Sequence, residues 1–582
     1  MAGRSPIDRQ AIRRTAIAAA AVVAGLAFAL PAVQAAEVAK AKPGASTVGS
    51  YLIGRHAHAT HDLGTAADHM LSVLDRDPDN ADLQRNAFLL AAAEGRLEVA
   101  FGIAQRLVDA GGRSPIAQIG LAVDDLKAGR FTQAEQKAAR VPRDGVASFV
   151  APLIRAWALV GLKKSDDALQ ALSALAGNAG LKPVQDYVAG LLLEVDGRVA
   201  EAEVRYRDAT DGASSVGHRF VEALGGLYER SGRVAEAEAL YTRHLDRQSN
   251  SPLLKAALDR VKAGRPSRPI ATTPAEGAAE TLFVIGNSMR HESIAVSGLV
   301  MARLALHLKP DFPLAQFLVA EILEIEERFA AANETYKTIA PSSAFAWPSR
   351  LRVAYNLNRL DRIDDAARQL NAMAAERPAD PDALVALGDI YKARDRFEDS
   401  VKAYDQAFNH IPAVDRRHWS LLFARGTMLE RSKQWPRAEA DLLRALEFEP
   451  EQPYVLNYLG YSWIDQGINI DRARKMIERA VELRPDDGYI VDSMGWVHYR
   501  LGDFANAVRD LERAVALRPD DPVINDHLGD AYWKVGRRPE AQFQWRRALS
   551  LKPEKDLQPA IQDKIERGLV DSSPRPKAGK DG

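Results

Sequence analysis

The chain has 582 residues, 27% of them charged, with a formal net charge of -1 and no cysteine. Near-neutral charge excludes a global basic field for nucleic acid or acidic membranes. The lack of cysteine excludes disulfides, thiolate metal sites, a cysteine nucleophile and a lipid-anchored cysteine.

At the N-terminus, Arg4, Arg9, Arg13 and Arg14 outweigh Asp8, and Ala16 to Leu30 is apolar and uncharged. Pro31 then breaks the run, and Val33-Gln34-Ala35 places small residues where a signal peptidase cuts. The pattern predicts a signal peptide over residues 1–35, exported by the general secretory route to a bacterial periplasm. The rival reading is an uncleaved inner-membrane anchor, because Thr15 to Ala36 could just span a bilayer. No other stretch is long and apolar enough to cross a membrane.

A linker with Pro43-Gly44 (residues 36–48) leads into helical repeats. The first has Ile53-Gly54, Ala66, Met70 and Pro78 in register. Gly95/Ala100, Gly129/Ala134, Gly197/Ala202, Gly232/Ala237, Gly502/Ala507 and Gly536/Ala541 all keep one five-residue interval. Glycine suits the left-handed residue that closes a helix, and alanine suits a close helix crossing. The unit around Ala147 to Ala176 breaks the interval, since Gly161 and Ala168 are seven apart. Gly264 to Pro274 (GRPSRPIATTP) cannot continue a helix. It is expected to join an N-terminal array (49–263) to a C-terminal one (275–569). The latter ends in a capping helix near Asp556 to Leu569, and a disordered tail (570–582) follows.

The signature is clearest between Pro453 and Pro553. Leu459-Gly460, Met494-Gly495 and Leu528-Gly529 are spaced by 35 and then 34 residues. Each is followed by an alanine (Ala473, Ala507, Ala541), a bulky residue (Ile477, Leu511, Trp545), a second alanine (Ala480, Ala514, Ala548) and a proline (Pro485, Pro519, Pro553). Such a period marks stacked helical hairpins.

Leu528-Gly529, Tyr532, Ala541, Trp545, Ala548 and Pro553 resemble the tetratricopeptide repeat (TPR) at its signature positions. The resemblance implies an all-α TPR α-solenoid, a right-handed superhelix of antiparallel helix pairs, with about 14 hairpins in two arrays. It also implies protein or peptide partners bound in a concave groove. The run from Tyr458 to Gly502, above all DSMGWVHYRLG (Asp492 to Gly502), resembles bacterial envelope TPR adaptors of carboxyl-terminal processing proteases. Some of those adaptors are outer-membrane lipoproteins; this chain departs from them in having no cysteine to lipidate.

Counting from Gly488 as position 1, positions 4, 7, 8 and 11 share the stripe facing the second helix. Positions 2, 5, 9 and 12 lie roughly 130° away. In the family this second stripe lines the groove. It carries Tyr454, Asn457, Tyr461 and Ile464, then Tyr489, Asp492, Trp496 and Tyr499, then Val523, Asp526, Asp530 and Trp533. One reading is a ribbon of aromatics and carboxylates for apolar, somewhat basic peptides. The other is that Trp496 and Trp533 cement neighbouring first helices. The stripe lacks the basic residues of the family's carboxylate clamp.

His56, His58 and His61 cluster without a fourth ligand for structural zinc. His291-Glu292 resembles the start of a zinc-protease helix, but Ala295 stands where its second histidine belongs. No phosphate loop or nucleophile elbow occurs, so no cofactor or catalytic group is expected. The sequence points to a non-enzymatic envelope scaffold or adaptor. The alternative is a structural subunit of a polysaccharide or secretion assembly. A repeat-linked glycosyltransferase is more remote, since hairpins leave no room for its domain.

Overall fold

The computed structural model describes residues 46–175, 179–211, 217–247, 251–290 and 295–569. The expected signal segment, most of the linker, the tail 570–582 and His291-Glu292 lie outside these residues. The described residues form thirty α-helices with a few short 3-10 turns and no strand. They divide into two compact units, one over Val33–Leu370 and one carrying Asn371–Gly582. No described helix is long and apolar enough to cross a membrane.

Within each hairpin, sequence sets the corner. The helix Gly488–Arg500 ends at Gly502, whose φ of +81° is the left-handed conformation that glycine adopts at little cost. Asp503 then caps Phe504–Leu517 by accepting a hydrogen bond from the Asn506 amide at 3.3 Å. Ala507 is fully buried where the two helices cross. A Cβ on Gly495 would lie 2.6 Å from Leu511 Cγ, so the helices are in contact through their smallest residues. Ala507→Leu is therefore expected to destabilise the chain by about 1–3 kcal/mol in urea melts. An unchanged midpoint would mean that the crossing is placed wrongly.

The irregular unit obeys the same rule with a different residue. Lys163, with φ +61°, is the left-handed corner before Ala168, so the five-residue interval survives. His61, Glu327, Asp361 and Lys433 occupy the equivalent corners before Ala66, Ala332, Ala366 and Ala438.

In the first unit the segment after Gly264 does not separate two arrays; the division falls inside the helix Ile363–Glu376. The reason is packing. The hairpin formed by Pro274–Ser288 and Ala295–Leu308 turns back onto Ala81–Ala93, Pro115–Lys127, Ala147–Gly161 and Lys182–Val195, each the first helix of an earlier hairpin. The second unit is simpler: each helix packs on its near neighbours, and Gln558–Arg567 closes the end. Its core runs through Leu442, Leu459, Trp463 and Ile477, then Leu511, Leu528 and Trp545. Trp545 lies over Gly529, where a Cβ would come within 2.5 Å of the indole.

Candidate protein-binding groove

Three first helices of the second unit, Pro453–Gln466, Gly488–Arg500 and Pro522–Lys534, carry the expected stripe. On the first, Tyr454, Asn457 and Tyr461 are half-buried, and Ile464 is buried. Asn457 Oδ1 is buried without a hydrogen-bond partner among the described residues. Burial, aided by the carboxylates of Asp492 and Asp465, pushes the Tyr461 hydroxyl well above the usual tyrosine range.

On the second helix, Tyr489 is 41% exposed, and the Arg518 guanidinium lies 5.1 Å above its ring. Burial and Asp521 push its hydroxyl up to about 12. Trp496 is held between two rings, Tyr499 at 4.8 Å and His527 of the next first helix at 4.1 Å. Its Nε1 is buried with no partner among the described residues. Trp496 thus cements neighbouring helices, and Tyr489 is the exposed aromatic of this helix.

The third helix gives its stripe to the chain itself. Lys564 of the capping helix lies 2.8 Å from both Asp526 and Asp530, and Asp530 also accepts from Trp545 Nε1 at 2.9 Å. Trp533 packs at 5.3 Å from Trp545 and is covered by Gly568, where a Cβ would fall 2.1 Å from its indole. The three carboxylates expected to face a ligand are each paired internally, since Asp492 accepts from His527 Nδ1 at 3.0 Å. Lys564 and His527 were the residues the stripe reading missed. His527 lies one place off the stripe, 35 residues after Asp492 where the repeat spacing is 34, so the stripe positions do not point to that pairing.

The accessible remainder continues towards the previous repeat. Phe423 meets Tyr458 edge-on at 5.9 Å, and the Tyr458 hydroxyl donates to Glu430 at 2.8 Å. Partly buried aromatic side chains thus stand on successive first helices. Such a set can bind the apolar side chains of another chain.

The Asp492–His527 pair gives this region a pH dependence. Burial opposes charge on His527, but Asp492, with help from Asp526 and Asp530, outweighs it and holds the imidazole above its ordinary value. A raised folded value means stability that is fully present below about pH 6.5 and lost as pH rises through the folded value. His527→Gln is expected to lower the urea midpoint by the equivalent of about 1.5–3 kcal/mol at pH 6, with the gap to wild type narrowing towards pH 9. A gap that widens with pH would contradict the ion pair.

In the first unit His56 and His58 are exposed, His61 pairs with Glu326, and His69 is buried. Among the described residues no three potential metal ligands converge.

Comparison with known proteins follows the same lines. A family model described as TPR repeat matches residues 495–536, and one described as tetratricopeptide repeat matches 187–252 and 354–410. A TPR repeat-containing protein of Pseudomonas aeruginosa is 27% identical over 205 residues, 34% of this chain. The match spans 33% of that relative's length. Among solved structures, the Cut9–Hcn1 assembly of the APC/C aligns over 90% of this chain and 97% of that one, at 15% identity and a TM-score of 0.38. YrrB, a TPR protein with an unusual peptide-binding site, aligns over 33% of this chain and 97% of its own, at 16% identity and a TM-score of 0.26. The chain is an all-α solenoid that carries tetratricopeptide repeats in both of its compact units.

Proposed function

We propose that this protein is a non-enzymatic scaffold or adaptor of the bacterial cell envelope, and that it binds partner proteins along the first helices Trp419–Arg431, Pro453–Gln466 and Gly488–Arg500. The observation that carries this reading is the set of partly buried Phe423, Tyr454, Tyr461 and Tyr499, with the exposed Tyr489, on successive first helices. Rigid aromatics of this kind anchor interfaces at low entropic cost. The export-like N-terminus supports a periplasmic location. The resemblance of Tyr458 to Gly502 to protease adaptors supports delivery of bound substrates to a periplasmic processing protease.

Affinity capture from a bacterial envelope fraction tests the reading, with wild type beside Tyr461→Ala/Tyr489→Ala. Loss of two anchoring aromatics is expected to weaken capture about tenfold or more. Equal capture of the same proteins by both forms would remove this set as the site. A partner recovered in fixed stoichiometry at every salt concentration would favour a structural subunit over an adaptor.

A further inference from the structure

We infer that the concave face of the N-terminal hairpins is occupied by the chain's own hairpin Pro274–Leu308 and is closed to partner proteins. This inference is independent of the function proposed for the second unit.

The contacts run through five successive hairpins, and each falls on a first helix or its end. Glu280 is fully buried against Arg219, whose Nε donates to it at 3.1 Å, and Tyr187 Oη lies 3.5 Å away. Trp157 Nε1 donates to Thr281 at 2.8 Å, and both residues are fully buried. Gly277 lies flat on the same indole: a Cβ there would be 2.1 Å from it. Further along, His307 lies 3.1 Å from Asp124, and Arg303 donates to the Ala93 carbonyl at 3.3 Å. The following turn continues the line, with Arg328 2.6 Å from Glu94 and Glu326 paired with His61.

In this family the first helices line the groove in which a ligand is bound. Here the same helices bind residues that follow them in the chain. The fit is specific at both ends and in the middle. A carboxylate meets a buried guanidinium, a glycine meets a tryptophan face, and imidazole and guanidinium groups meet carboxylates and a helix-end carbonyl. An amphipathic surface helix would be buried along one stripe only. Residues 277–283 of Pro274–Ser288 are buried without a break, which is how a segment enclosed on all sides behaves. The exposed stretch Gly264–Pro266 is the strap that lets the chain turn in.

A site-specific protease recognition sequence placed after Gly264 of the full chain tests the inference. After cutting, native mass spectrometry is expected to show the two fragments held one to one at micromolar concentration. Gly277→Leu in the same cut chain is expected to raise the concentration at which they separate about tenfold or more, because the added side chain cannot fit against Trp157. A fluorescent synthetic peptide covering Pro274–Leu308 is expected not to bind intact wild type. Dissociation of the cut wild type at micromolar concentration, equal dissociation of the two cut forms, or saturable binding of the peptide to the intact chain would each overturn it.

Discussion

Arg219→Ala is expected to destabilise the chain by about 3–5 kcal/mol in urea melts, because it leaves a buried carboxylate without its cation. Glu280 has no exposed surface, and the guanidinium that faces it is itself largely enclosed. Arg219 also holds Glu222, so its loss frees two carboxylates at one point. Burial opposes charge on Arg219, but Glu280 and Glu222 outweigh it and hold the guanidinium charged. A double-mutant cycle separates the pair from its burial. Arg219→Met/Glu280→Leu is expected to be less destabilised than Arg219→Ala, since the fully buried carboxylate is gone and only the partly exposed Glu222 loses its cation. A double variant as unstable as the sum of the singles would mean that the two residues act independently.

Lys564→Met is expected to cost a similar amount, about 3–5 kcal/mol, for the same reason in the second unit. Asp526 and Asp530 are one helical turn apart, and Lys564 bridges them. Burial opposes charge on the lysine, but the two carboxylates hold its ammonium above the usual lysine range. Burial likewise pushes the Asp530 carboxyl up against the pull of Lys564. Without the cation, the carboxyl of Asp530 rises further and takes up a proton in the folded state. The deficit of Lys564→Met relative to wild type should therefore shrink as pH falls from 7 towards 5. The capping helix Gln558–Arg567 should lose hydrogen-exchange protection first, because Lys564 is its charged link to the last hairpin. A deficit independent of pH would show that the helix is held by Ile561 and Ile565 instead.

The period of the repeat was legible because it is written in side-chain size. Gly460, Gly495 and Gly529 accept Ile477, Leu511 and Trp545, and no larger residue would fit at those three positions. The corners were legible only where glycine fills them. At Lys163, Glu327 and Lys433 the left-handed backbone is imposed by the helices on either side, at a cost of roughly 1–2 kcal/mol for a residue with a Cβ. A search for glycine passes over them.

The partners of the stripe residues were not legible. Asp492, Asp526, Asp530 and Trp533 stand at the expected places, yet each is satisfied by His527, Lys564 or Gly568, which helical geometry within one repeat cannot reveal. The return of Pro274–Leu308 was hidden for a related reason. Trp157 and Thr281 are 124 residues apart, and no period links them. One sign was available: residues 277–283 (GAAETLF) and 298–305 (GLVMARLA) are largely apolar without a polar stripe, as in helices enclosed on all sides.

That enclosure has a consequence for synthesis. A solenoid with neighbour-only contacts can fold one unit at a time as it leaves the ribosome. The helices from Ala81 to Val195 cannot finish in that way, because their covering residues lie between Gly277 and Arg328. At ordinary rates of elongation, roughly ten seconds separate the two. During that interval the indole of Trp157 and the apolar faces beside it are bare. The first half of this chain is thus the part in which a holding chaperone has the most to protect.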